Sequence, residues 1–245
     1  MPRKTTTPAY GHDHGLVVEV DNATGRTSFW EKEDNHSVAD KNGVSTADYI
    51  HAMYGFLRQA ECRHVLMIGC GGGTLATMLR RVGVTVTMVD IDGRSFDIAS
   101  RYFHMPADVE CHIADGEAFL RRDPRKYDAV VLDAYADHEI PRHLRSRRFF
   151  NLVKSRLKAR RAIVLLNLMA TGDDDLGPDR MARLMRRTWS QVRLLDAEGQ
   201  KGRNAIAVAG AVRNLKAPRL MMRPQRGAKL LAREMRQLEF RPVRE

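Results

Sequence analysis

A chain of 245 residues with 43% hydrophobic content is long enough for one α/β domain with appendages and a sizeable core. No apolar run approaches a membrane span, the polar N-terminus lacks the apolar segment of a signal peptide, and the three cysteines (Cys62, Cys70, Cys111) suggest neither a metal site nor a disulfide framework. A cytoplasmic protein without a metal is expected, with a formal net charge of +11 whose distribution matters more than its sum.

Residues 1–14 hold two prolines and three consecutive threonines and read as a disordered N-terminus. Residues 16–20 and 26–30 flank a Gly-containing loop and predict a β-hairpin, and residues 31–43 are polar and turn-rich. Ser45 or Thr46 can cap a helix over 47–57, which completes a small module over 15–60. Apolar residues 65–68 then predict a strand buried on both faces, followed by a glycine-dense turn over 69–73 and a helix carrying Leu75, Met78 and Leu79. A second strand over 84–89 ends at Asp90 and Asp92, and a helix follows over 95–103. Further strands are predicted over 109–113, 127–132 and 162–168, with helices over 117–121, 147–157 and 181–189 between and after them. A closing hairpin over 192–195 and 204–209 makes seven strands. The fold class is α/β: a doubly wound, mostly parallel seven-stranded sheet over 61–211, behind the N-terminal hairpin module. Residues 212–245 read as a basic tail with one amphipathic stretch around Leu230, Leu231, Met235 and Leu238.

The β-α-β unit over 65–92 indicates a nucleoside site. Gly69, Gly71 and Gly73 let the backbone pass close to a ligand, and Asp90 and Asp92 stand where ribose hydroxyls would be gripped. The glycines fit two patterns: Gly71 to Ala76 satisfies the dinucleotide fingerprint, and Gly69-x-Gly71-x-Gly73 is that of class I S-adenosylmethionine-binding folds. Asp115, followed by Gly116, and Asp133 also end predicted parallel strands, so with Asp90 they should share one rim. Converging carboxylates suit a cationic sulfonium far better than a pyrophosphate, which weighs against the dinucleotide. Basic residues crowd 142–161, 180–187 and 213–244; solvated helix faces explain them, with nucleic acid as the weaker alternative because no aromatics interleave.

Four segments in order then resemble the catalytic domain of the spermidine synthase (polyamine aminopropyltransferase) family. Its VLxIGGGDGG is matched by Val65-Leu66-Met67-Ile68-Gly69-Cys70-Gly71-Gly72-Gly73-Thr74, and its VEID by Val89-Asp90-Ile91-Asp92. Its GDGxxFL is matched by Ala114-Asp115-Gly116-Glu117-Ala118-Phe119-Leu120, and its DxSDP by Asp133-Ala134-Tyr135-Ala136-Asp137. Ile140-Pro141-x-His143-Leu144 is similar to a divergent, spermidine synthase-like branch. The resemblance implies that Asp90 holds the ribose, Asp115 reads the adenine amino group, and Asp133, with Asp137 as its partner, orients and deprotonates an attacking amine. It implies S-adenosylmethionine or its decarboxylated form as co-substrate, a small amine-like acceptor and no metal, and it leaves a homodimer open. Four departures touch the polyamine half, the first being that Asp137 lies four residues beyond Asp133 where the family spaces its two acids by three. Gly72 stands where the family has an amine-binding acid, Ile50-His51-Ala52-Met53 replaces its Tyr-His-Glu-Met, and His36-Ser37 stands where it often has Gln-Ser. Putrescine is therefore expected to be a poor substrate. A methyltransferase using intact S-adenosylmethionine and a non-catalytic nucleoside-binding module are the alternatives.

Overall fold

A computed structural model describes residues 5–7, 15–32, 34–136 and 139–245. Four short strands come first: β1 (Thr5–Thr7), β2 (Leu16–Asp21), β3 (Arg26–Glu31) and β4 (Asp34–Ala39), in that spatial order as one antiparallel sheet. The β2–β3 turn is held by Asp21, whose carboxylate accepts the Ala23 N–H at 2.9 Å and the Thr24 hydroxyl at 2.8 Å. Two strands exceed the expected hairpin. Thr5–Thr7, assigned above to a disordered N-terminus, pairs with residues 18–20, and the rest of 1–14 lies outside the described residues. Polar β4, expected to be turns, pairs with β3 across a register shift at Phe29/Trp30. Backbone hydrogen bonds to a neighbouring strand make a strand here where side-chain pattern alone does not.

Helix α1 (Asp48–Gln59) leads into the second sheet. Its elements run β5 (His64–Ile68), α2 (Thr74–Arg80), β6 (Thr85–Asp90), α3 (Gly93–Tyr102), β7 (Glu110–Ile113), α4 (Gly116–Arg122), β8 (Ala129–Leu132), α5 (Arg147–Arg156), β9 (Ile163–Ala170), α6 (Gly177–Arg186), β10 (Val192–Asp196) and β11 (Arg203–Gly210). The spatial order β10-β11-β9-β8-β5-β6-β7 is parallel from β9 to β7, with β11 antiparallel to β9 and β10 antiparallel to β11. These are the seven expected strands. Both faces are covered: Phe56, Met53, Leu75 and Met78 belong to the core on one side, and Phe149, Phe150, Leu120 and Trp189 to the core on the other. Each fully buried large side chain contributes about 1.5–3 kcal/mol of transfer free energy. Central strands such as β8 read as continuous apolar runs because neither face meets water. Among the described residues no helix is long and apolar enough to cross a membrane.

The C-terminal segment is not a free basic tail. Helix α7 (Ala228–Glu234) turns its Leu231 inward while Leu230 stays exposed, and β12 (Glu239–Arg241) adds an eighth strand antiparallel to β10. What locks it is electrostatic. Arg241 pairs with Asp179 at 2.8 Å and Asp196 at 2.7 Å, and Arg203 reaches Asp196 at 2.6 Å, all with buried side chains. Arg241, one of the basic residues read above as a solvated charge, is here consumed inside the fold.

Candidate active site

The strand order reverses between β5 and β8, so their carboxyl ends splay their connections apart and open a crevice. A cavity of about 620 Å³ lies there, lined by the glycine turn, the ends of β6, β8 and β9, and residues 31–32 and 34–37 beside it. Asp90, Asp92, Asp115, Gly116 and Asp133 all line it, as do Gly69 and Gly71. Gly73 does not; it takes a left-handed conformation at the N-terminus of α2 and has Met105 and Ala99 against it. Asp137 lies outside the described residues.

Gly69 has φ of +98°, and a Cβ there would fall 2.1 Å from the Asp133 carbonyl oxygen. That contact brings the glycine turn and the catalytic candidate together, and only glycine permits it. A Cβ on Gly72 would meet Ser37 Cβ at 2.8 Å and the Phe103 ring at 3.0 Å. The position that carries an acid in the family is thus closed by packing in this chain. The Gly72 N–H donates to Ser37 Oγ at 2.8 Å, which ties β4 to the glycine turn. Gly116 packs its bare Cα on Ile68 at the end of β5, where a Cβ would fall 2.5 Å from Ile68 Cγ2.

Each acid has a distinct environment. Asp90 accepts the Cys70 N–H at 2.7 Å and the Asp92 N–H at 2.9 Å, and burial pushes its carboxyl up against those bonds. Asp92 caps α3 through the Arg94 N–H at 2.9 Å and pairs with the Arg94 guanidinium, so its charge is neutralised on its own helix. Asp115 caps α4 through the Ala118 N–H at 2.9 Å and pairs with His143 Nε2 at 2.6 Å. Burial opposes its ionisation, but these hydrogen bonds outweigh it and hold the carboxyl below the usual range.

Asp133 is half-buried at the end of β8. Burial pushes its carboxyl up, opposed first by Asn167 Nδ2, which donates to Oδ1 at 2.7 Å. Asn167 is 3% exposed in the middle of an apolar strand, and its own Oδ1 accepts from Asn204 Nδ2 at 2.9 Å. Tyr135 is fixed beside it: its hydroxyl donates to the Asn167 carbonyl at 2.7 Å and accepts the Met169 N–H at 3.0 Å. Burial, then the nearby Asp133, raises the Tyr49 phenol well above its ordinary value, so it stays protonated. Sequence reasoning missed Asn167, Asn204 and Tyr49 as site residues. One signal could have found Asn167: a lone amide inside the run 163–168 must be hydrogen-bonded to something.

Comparison with known proteins follows the same lines. Residues 65–159 match the family described as methyltransferase domain. A probable polyamine aminopropyl transferase of Bifidobacterium longum is 34% identical over 114 residues, which are 45% of this chain and 26% of that protein. Polyamine aminopropyltransferase 2 of Pseudomonas aeruginosa is 33% identical over 147 residues, 56% of this chain and 42% of that one. The chain spans less than half the length of these two curated relatives. In three dimensions it is similar to a probable spermidine synthase from Corynebacterium glutamicum, with a TM-score of 0.77 over 99% of this chain and 92% of that one. Identity there is 15%, so the likeness concerns the fold.

Proposed function

We propose that this chain, a divergent relative of the polyamine aminopropyltransferases with a methyltransferase-type fold, is a transferase. It binds an S-adenosyl nucleoside and passes an alkyl group of the aminopropyl kind to a small amine acceptor. The observation that carries this reading is the convergence of Asp90, Asp115 and Asp133 on one cavity beside the glycine turn. Asp90 accepts the ribose hydroxyls, Asp115 faces the adenine, and Asp133 faces the sulfonium end. A neutral amine attacks the carbon next to sulfur; the C–N bond forms, the C–S bond breaks, and its electron pair leaves on a neutral thioether. The proton shed by the new ammonium goes to Asp133 and on to water. A carboxylate in hydrogen-bond reach contributes roughly 10²–10⁴-fold, and alignment of the two reactants adds to this.

Methyl transfer from intact S-adenosylmethionine is the second reading, favoured by the closed Gly72 position, which leaves no acid in the glycine turn for an aminopropyl ammonium. Thermal-shift and calorimetric binding of methylthioadenosine, S-adenosylmethionine, its decarboxylated form and NAD tests the site. Adenosyl thioethers should stabilise the protein and NAD should not; tighter binding of NAD would defeat the reading. Asp133→Asn should keep nucleoside affinity and lower turnover at least about a hundredfold. Turnover within a few-fold of wild type would make Asp133 structural.

A further inference from the structure

Nothing in the reaction above uses His143, yet it makes a short contact at the cavity wall. It stands in the turn Arg142–Leu144 between β8 and α5, and its Nε2 meets Asp115 Oδ2 at 2.6 Å. The turn is rigidly seated: Ile140 and Leu144 are buried on either side, and Ser146 Oγ donates to the His143 carbonyl at 3.0 Å while capping α5 through the Phe149 N–H at 3.1 Å. Asp115 follows β7 and His143 follows β8, two strands that have β5 and β6 between them. They meet because Gly116 packs directly on Ile68 and draws the start of α4 back over the end of β5. The pair bridges two strand connections at the wall of the cavity.

We propose that His143 is a positioning residue for the nucleoside, acting through Asp115, so that recognition of the purine belongs to the pair. This rests on the nucleoside reading given above. With side chains 47% and 34% exposed, the pair adds little to folding stability. Its effect is geometric. The Ala118 N–H holds Oδ1 and His143 holds Oδ2, so the carboxylate plane is set and Oδ2 keeps one lone pair in a fixed direction. A donor such as an exocyclic amino group can use that lone pair. An oxo group at the same ring position would bring two acceptors together and be rejected. The pair therefore selects a 6-amino purine over a 6-oxo purine, and losing His143 lets the carboxylate swing and blurs the choice.

Calorimetry with 5′-methylthioadenosine and 5′-methylthioinosine on the full chain tests this. His143→Ala should raise the dissociation constant for the adenosine compound about tenfold, the scale of one hydrogen bond to a charged group, and narrow the preference over the inosine compound. His143→Gln keeps a side-chain N–H donor and should recover most of both. In turnover the His143→Ala loss should fall on KM for the nucleoside rather than on kcat, with a wild-type melting temperature. Wild-type affinity and discrimination in His143→Ala, alongside lost affinity in Asp90→Ala, would overturn the role of His143 and leave the site reading standing. Failure of the wild-type protein to bind either nucleoside would overturn both.

Discussion

Replacing Asn167 with Leu tests the side chain that donates a hydrogen bond to the proposed base. The substitution keeps the buried volume of β9 filled and removes the amide that donates to Asp133 Oδ1 at 2.7 Å. Burial already raises the Asp133 carboxyl, and the Asn167 bond is the main influence holding it down. A hydrogen bond to a charged group is worth about 1.5–3 kcal/mol, so its loss should push the Asp133 carboxyl further up. The sign follows from which form the amide favours: it donates to the ionised carboxylate, so its removal favours the proton. The acid limb of kcat/KM should move toward neutral pH, and a carbon-detected NMR titration should show the same displacement for the Asp133 carboxyl. Asn204 loses its acceptor as well, so a stability loss of about 1 kcal/mol is expected alongside. In a folded variant, an NMR titration that moves while the acid limb stays in place would refute the assignment of Asp133 as the titrating base, and both staying in place would refute the hold of Asn167 on it.

Asp90→Ala should weaken methylthioadenosine binding by about 1–3 kcal/mol, since it also releases the Cys70 and Asp92 N–H groups that shape the glycine turn; calorimetry would show an unchanged affinity if Asp90 lay outside the site. Arg241→Met should lower unfolding free energy by about 3–5 kcal/mol in a urea titration, because two buried carboxylates lose a partner; a loss under 1 kcal/mol would mean that β12 is held by its backbone alone. Desolvation opposes ionisation of Asp179 and Asp196, but hydrogen bonds from Arg241 and the Arg244 N–H to the first, and from Arg203 and Arg241 to the second, outweigh it and hold both below the usual carboxylate range. Their folded values lie under the unfolded ones, so this stabilisation is complete at neutral pH and is lost as pH falls through the folded values, a dependence that should be weaker in acid unfolding of Arg241→Met, where Arg203 still holds Asp196 and the Arg244 N–H still holds Asp179. Putrescine with decarboxylated S-adenosylmethionine should give poor turnover, since Gly72, Ile50 and Ala52 offer a second ammonium nothing to pair with; kcat/KM on the order of 10⁴ M⁻¹s⁻¹ would refute that placement.

By itself the sequence determined the parallel core and the rim on which its acids stand. Buried strands such as 65–68 and 129–132 are apolar on both faces, and the end of such a run is the first place a carboxylate can reach water, so Asp90, Asp115 and Asp133 could be placed from pattern alone. Strands β4 and β12 escaped because they pair at sheet edges through backbone groups and carry polar or basic side chains, which leaves no periodic signal. The charge of the C-terminal segment misled for a related reason: whether an arginine faces water or a buried aspartate depends on partners some 45 to 62 residues away. Only the tertiary structure decided that Ser37 closes on Gly72, that Asn167 holds Asp133 and that His143 holds Asp115. Each joins residues 28 to 35 positions apart, and such contacts are set by how elements pack, which local pattern does not encode.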